Sequence, residues 1–415
     1  MVYLLSVPCT CLSPKSINPN PKCCTQSERG VSFDAGDTFF RRESSTGRDL
    51  GVLAAAVYKK SNNVLKVLDA MSGCGIRSLR YLTEADADFV LANDANPDCG
   101  GVISSNLSNA AAGAAASGRW EVKHADATRI LTECYLERNY FDLIDVDSFG
   151  SESCYLRAAM LAVKLDGLLY VTSTDGYSSG GHRPQHTLAA YGAYVKHVPY
   201  SNEVGLRMLI GGAVREAAVL GYHVVPLFSY YSYHGPVFRV LLQVKRGKFG
   251  ITRHYRFISY CSRCGNSRTV SWDDLGVTGC SCAEVPSGSV VVSGPLWTGP
   301  LHSASFLGEM QDLAEQWGWT GNGTSSGKHL RALLKAMIDE SDPALPFGYI
   351  KIDEIASRAK VNSPRLDTLL RALHKEQYAA CRSHIHANAV KTNCPMVDCV
   401  RLVKELQQIS SGGHL

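Results

Sequence analysis

The chain lacks any segment apolar enough to span a membrane: its best candidate, residues 205–228, is interrupted by Arg207, Arg215 and Glu216. A spanning helix needs about 20 predominantly apolar residues, so no membrane partner is expected. Strong net charge is also missing, with 42 Lys+Arg against 38 Asp+Glu over 415 residues, and electrostatics alone favours a phosphate-bearing partner only modestly. The small excess is placed unevenly. Basic and acidic residues balance up to Lys245, and the whole surplus falls between Arg246 and Leu415. With 45% hydrophobic and 19% charged residues, disordered, collagen-like and coiled-coil classes are excluded, and two or three cored domains are expected. The 15 cysteines are odd in number and scattered, which fits a reducing compartment better than a disulfide framework, so any tight cluster reads first as a metal site.

No acidic residue precedes Glu28, and residues 1–26 are rich in Ser, Thr, Pro, Asn and Cys. Residues 1–30 are therefore expected to lie outside the fold, as an organellar (chloroplast or mitochondrial) leader or a disordered tail. From residue 64 short apolar runs alternate with helix-length segments: 64–68, 89–93, 120–124, 141–146, 167–173, 224–229 and 237–244. This alternation predicts a mostly parallel, doubly wound α/β sheet. The last two runs are too close for a crossover helix and should pair as an antiparallel hairpin. The order resembles a Rossmann-like class I methyltransferase domain, here residues 31–245. Beyond it lie a cysteine-rich insert ending in a Gly/Pro loop (246–302) and a C-terminal α+β unit (303–415). Two short helices at 353–358 and 363–374, followed by an extended piece, resemble a winged helix, a frequent nucleic-acid docking module. The Ala-rich piece 109–118 carries no readable chemistry.

The first strand runs into Asp69-Ala-Met-Ser-Gly-Cys-Gly-Ile-Arg, where Gly73 and Gly75 let backbone approach a ligand at a helix N-terminus. A dinucleotide fingerprint would place a third glycine at Ser78. Its absence leaves cofactors without a pyrophosphate, of which S-adenosylmethionine is the commonest on such a sheet. Asp94 ends the next strand, where a carboxylate can accept both ribose hydroxyls, and Asp126-Ala127 end the third, where an acid and a small side chain can meet an adenine. The fourth ends in Asp147-Ser148-Phe149. An exocyclic amine donates its lone pair into the base, so methylating it calls for an acceptor that holds its N–H bonds and takes a proton. Asp147 can do that, and Phe149 can stack on an extruded base.

Beside these motifs stand Gly47-Arg48-Asp49-Leu50, PYSNEVGLRMLIG, GPLWTGPLH and Arg382-Ser-His-Ile-His-Ala-Asn-Ala-Val-Lys391-Thr. Together they resemble the tRNA (guanine-26-N2)-dimethyltransferase family, from about residue 39 to 302 with further matches near the C-terminus. The resemblance implies that Arg48, Arg77, Asp94, Asp126 and Ala127 contact S-adenosylmethionine, with Asp69, Gly73 and Gly75 in the same loop. It makes Asp147 the catalytic acid/base candidate, and sets Arg382, His384 and Lys391 on a phosphate-facing edge that grips tRNA. Ser148 departs from the family's usual proline, which keeps open a catalytically weak, tRNA-binding chaperone, or an amino-methyltransferase with another substrate. Whether one methyl group or two is added, and the oligomeric state, stay open. Cys261, Cys264, Cys280 and Cys282 form two close pairs, the pattern of a closed, structural zinc site.

Overall fold

Strands buried on both faces of a parallel sheet read as continuous apolar runs, and the runs found above pair accordingly. The computed structural model describes residues 25–412 apart from 111–117, 248–252, 277–278, 281, 283–287 and 322–324. The expected leader up to residue 24 and most of the Ala-rich piece lie outside the described residues. The folded chain opens on a hairpin, β1 (Thr25–Glu28) with β2 (Val31–Asp34). Residues 25–30, expected outside the fold, therefore belong to it, anchored by buried Glu28 and by an Arg29–Asp49 ion pair of 2.6 Å.

The main sheet comprises β3 (Lys66–Asp69), β4 (Phe89–Asn93), β5 (Trp120–Lys123), β6 (Phe141–Asp147), β7 (Val163–Ser173), β8 (Tyr222–Ser232) and β9 (Val237–Arg246). Their order is β5-β4-β3-β6-β7-β9-β8. β3 to β7 run parallel, and β9 is antiparallel to both its neighbours. The predicted hairpin is present, but its antiparallel member is inserted between β7 and β8 rather than placed at the edge. The order reverses between β3 and β6, the switch point at which open α/β sheets bind ligands beyond their strand ends.

Alternate strand residues face opposite layers. Leu68, Leu169 and Val171 join Leu206, Leu209 and Ile210 of the helix Ser201–Val219, whereas Val67, Leu168 and Tyr170 join Leu50 and Leu53 of the helix Ser45–Asn62. Two expected domain borders shift here. Leu296, Trp297 and Leu301 of the Gly/Pro loop are buried in the first layer. The helices Ala304–Gln316 and Ser325–Asp339 bury Leu307, Met310, Leu330, Leu334 and Met337 in the second, because their apolar stripes at i, i+3, i+4 and i+7 need a partner face. The first layer also takes in Tyr255, Ile258 and Tyr260 of a three-stranded antiparallel sheet, β10 (Tyr255–Cys261), β11 (Ser267–Val270) and β12 (Val290–Trp297).

Only the last part of the chain has its own core. Helices Ile352–Ala359 and Leu366–Lys375 pack with β13 (Ile350–Lys351), β14 (Ala380–Arg382), β15 (Ala389–Thr392) and the helix Met396–Gly412 around Ile355, Leu369, Val390 and Leu402. Two helices followed by a small antiparallel sheet match the expected winged-helix-like arrangement.

Candidate active site

A cavity of about 710 Å³ opens over the switch point and is lined by Arg48, Gly73, Arg77, Asp94, Asp126, Ala127, Asp147 and Phe149, among others. Apart from Arg48, which comes from the helix Ser45–Asn62, the sheet brings these residues together because each lies at or just beyond the carboxyl end of a strand or opens the helix after it. Gly73 has φ +56° with open space where a Cβ would point, and its N–H donates to the Asp94 carboxylate at 2.9 Å. Asp126 caps the helix Ala127–Leu136, accepting from the N–H groups of Thr128 and Arg129. Its second role, if any, is therefore added to a structural one.

Asp147 ends β6 as the only residue of that strand not buried. Its Oδ2 accepts from Arg77 and its Oδ1 from Arg239 at 3.3 Å, while its side chain remains 28% exposed to the cavity. Burial alone would raise this carboxyl, but Arg239 and Arg77 outweigh it and bring it to about 2, so Asp147 is an anion at any physiological pH. Arg77 reaches back to buried Asp145 at 2.8 Å with the other nitrogen of its fork, tying together two carboxylates two residues apart on β6. Phe149 is 72% exposed at the cavity mouth and packs edge-on against Phe39, with ring centroids 5.0 Å apart. Ser148, in place of the family's proline, is buried and donates to the Thr172 carbonyl at 2.9 Å. That bond fixes the turn between Asp147 and Phe149 to β7.

Three expected roles change. Asp69 is fully buried beneath the cavity, accepting from Ser78 Oγ at 2.7 Å, with burial and Asp145 pushing its carboxyl up; it braces the glycine turn rather than facing a ligand. Gly75 (φ +80°) likewise serves the backbone, its α-carbon turned against Ile103. Lys391 and His384 face no solvent. The Lys391 ammonium binds Glu203 at 2.8 Å, His384 Nδ1 lies 2.9 Å from Glu340, and all four side chains are at most 3% exposed. A surface cation at either position would leave these carboxylates unpaired in the interior, which costs several kcal/mol. Arg382 alone of the three is exposed, beside Asp367.

Glu340, His302 and His384 also converge closely enough to hold a metal ion. However, Ser229 N–H donates to His302 Nδ1, which puts the ring proton on Nε2, facing Glu340 at 3.7 Å. A protonated nitrogen is a hydrogen-bond donor and no ligand, so this group reads as a buried polar cluster, in which the His384 backbone N–H donates to Glu340 Oε1 at 2.6 Å. The four thiols behave differently. Cys261 Sγ lies 3.7 Å from Cys282 Sγ, Cys264 Sγ lies 3.5 Å from Cys280 Sγ, and all four fall within 4.8 Å of one another.

Three site residues were missed in the sequence. Glu28 holds the Arg48 guanidinium, donating nothing and accepting two N–H bonds; its signal was being the first acid after an acid-free stretch. Arg239 is 3% exposed on β9, a charge within the buried apolar run 237–242, which is rarely placed without a partner. Phe39 pairs with Phe149 and had no signal beyond its position.

The chain is similar over 374 residues to the tRNA (guanine(26)-N(2))-dimethyltransferase of Saccharolobus solfataricus, at 28% identity, covering 89% of this chain and 91% of the relative. The corresponding protein of Pyrococcus abyssi is 28% identical over 377 residues, 88% and 91% of the two chains. Among solved structures, Trm1 from Pyrococcus horikoshii in complex with S-adenosyl-L-methionine superposes with a TM-score of 0.73 at 26% identity, covering 88% of this chain and 95% of that one. Residues 22–404 match the family model of N2,N2-dimethylguanosine tRNA methyltransferase, and the chain belongs to that family.

Proposed function

We propose that this protein is an S-adenosylmethionine-dependent methyltransferase that adds one or two methyl groups to N2 of guanosine 26 in tRNA. The observation that carries the reading is an ionised Asp147, clamped by two arginines at the tip of β6 yet open to the cavity. The cavity suits the cofactor: Gly73 leaves a backbone cradle, Asp94 supplies a carboxylate for ribose hydroxyls, and Asp126 with Ala127 edge an adenine-sized space. When bound, S-adenosylmethionine supplies an electrophilic methyl group on a sulfonium.

Asp147 accepts an N2–H bond of an unstacked guanine and turns the nitrogen lone pair toward the donor. Phe149, with Phe39 beside it, offers an aromatic face for the extruded base. Once N2 has gained a methyl group its surplus proton is strongly acidic, so even a carboxylate held at about 2 accepts it and releases it to water. One N–H then remains to face Asp147, and the same arrangement serves a second transfer. Arg382, on the exposed edge of the winged-helix-like unit, is the remaining candidate for phosphate contact from the C-terminal motif 382–392.

The four thiols suit a structural zinc ion, since tetrahedral Zn–S bonds of about 2.3 Å put sulfurs about 3.8 Å apart. The backbone N–H groups of Cys264 and Arg263 also draw the Cys261 thiol down to about 7 against the effect of burial. One zinc per chain, with a lower Tm after chelation, is the expected result of metal analysis.

The function is tested by incubating purified protein with isotopically labelled S-adenosylmethionine and unmodified tRNA, then digesting to nucleosides. Label in N2-methyl- or N2,N2-dimethylguanosine at position 26 is expected. tRNA binding without label would instead establish the chaperone alternative, and label in another nucleoside the alternative substrate.

A further inference from the structure

The methyl acceptor must be distinguished from other bases that an aromatic face would stack equally well. The fixed groups at the tip of β6 carry a pattern that does so. Arg77 engages Asp147 Oδ2 and Arg239 engages Oδ1, so the four groups stand in the order Arg77, Oδ2, Oδ1, Arg239. A carboxylate has about four lone-pair positions; Arg77, Arg239 and the Thr172 hydroxyl take up part of them, and the 28% of the side chain open to the cavity leaves room for a ligand. Arg239 makes its bonds to Asp147 (3.3 Å) and Thr172 Oγ1 (3.0 Å) through Nη1 alone, and it lines the cavity. A guanidinium has five N–H donors, so a fork used at one nitrogen has donors left for a base. Its position is built into the fold: a Cβ on Gly47 would lie 2.6 Å from Arg239 Nε.

Resting on the functional reading above, we infer that Arg239 is a specificity-determining residue that donates to O6 of the target guanine, completing with Asp147 an acceptor–acceptor–donor edge. Guanine presents N2–H, N1–H and O6 in sequence along its Watson–Crick edge, the complement of Oδ2, Oδ1 and Arg239. The direction agrees with the topology. Arg77 belongs to the helix after the glycine turn, on the cofactor half of the sheet, so N2 at Oδ2 falls on that side. Arg239 comes from β9 on the far half, where O6 then lies. Adenine turned the same way presents an unprotonated N1 to a carboxylate and an amine to a guanidinium, two repulsive contacts, and a buried polar site rejects such a mismatch strongly.

The test uses full-length protein and two tRNAs differing only at position 26, guanosine or 2-aminopurine, which keeps the amine at C2 but lacks N1–H and O6. Wild type is expected to prefer guanosine in kcat/KM by about 10- to 100-fold, the scale of one paired set of base contacts. Arg239→Met, which also removes a cation from beside Asp147, should lower kcat/KM for both tRNAs but should lower it about 10-fold or more further for the guanosine tRNA, so that the preference for guanosine collapses. Arg239→Lys keeps the charge beside Asp147 without the planar fork, and should fold and show an intermediate preference if the methionine variant is unstable. Equal loss on both tRNAs would mean that Arg239 acts only through Asp147 or the fold, and would overturn the inference. So would a wild type that treats both alike. A wild type inactive on both tRNAs would instead sink the functional reading itself.

Discussion

Two clusters of carboxylates, one at the tip of β6 and one beside the helix Ser201–Val219, differ above all in how far they are open to solvent. At the tip of β6, Asp147 is flanked by Arg77 and Arg239 but keeps 28% of its side chain exposed to the cavity. At the junction of the helix Ser201–Val219 with the C-terminal unit, Glu203 and Glu340 are met by Arg207, Lys391 and His384, with none of these side chains more than 4% exposed. Burial opposes both charges, and neighbouring groups hold both carboxyls low: Arg239 and Arg77 for Asp147, and for Glu340 chiefly His384 and Lys391. An ionised carboxylate is therefore not a mark of chemistry. What separates reaction from scaffold is whether lone pairs are left facing a space large enough for substrate.

The contrast can be broken most directly at its open end. Asp147→Ala should lower kcat by about 10²- to 10⁴-fold while tRNA binding measured by filter retention is kept; near-normal turnover would remove Asp147 from the chemistry. At the closed end, Lys391→Met should cost about 3–5 kcal/mol, seen as a lower midpoint in urea. The salt dependence of tRNA binding should stay as it was; a weakened salt slope in a stable variant would return Lys391 to the surface.

Glu152 sharpens the comparison, as a buried carboxyl with no cation beside it. It is fully buried and accepts from Tyr191 at 3.2 Å and from Ser173, yet burial outweighs these bonds and pushes it to about 7 from 4.5. Because the folded value lies above the unfolded one, its ionisation costs nothing below pH 4.5 and destabilises increasingly up to about pH 7. Glu152→Gln should thus gain about 3 kcal/mol relative to wild type at pH 8 and nothing at pH 4, a difference readable in paired thermal melts. The smallest effect is expected at Arg382. Arg382→Ala removes an exposed pair with Asp367, so stability should change by no more than about 0.5 kcal/mol, while the slope of log K against log salt for tRNA should fall by about one. An unchanged slope would place the phosphate contacts elsewhere.

Much of the site was legible because it sits at strand ends. Gly73, Asp94, Asp126 and Asp147 each follow an apolar run, and a parallel sheet gathers such positions at one edge whatever lies between them. The same logic failed for Asp69, which also ends a strand but points into the layer beneath, where only Ser78 meets it. It failed again for Lys391 and His384. Their motif is dense in polar residues, and whether such residues face water or one another depends on Glu203 and Glu340, which lie 188 and 44 residues away from them in the chain respectively. The hairpin of β1 and β2 was hidden for a related reason: its four-residue strands carry little apolar signal, and its contribution is Glu28, placed under Arg48.

Local pattern by itself determined the alternation of strands and helices, the glycine turn and the residues at each strand tip, since periodicity and backbone freedom act over a few neighbours. The pairing of charges was decided only in three dimensions. Arg77, Arg239 and Asp147 come from three separate elements, and whether a buried ion is satisfied, and which of its faces stays open, depends on distances that no short stretch of chain controls.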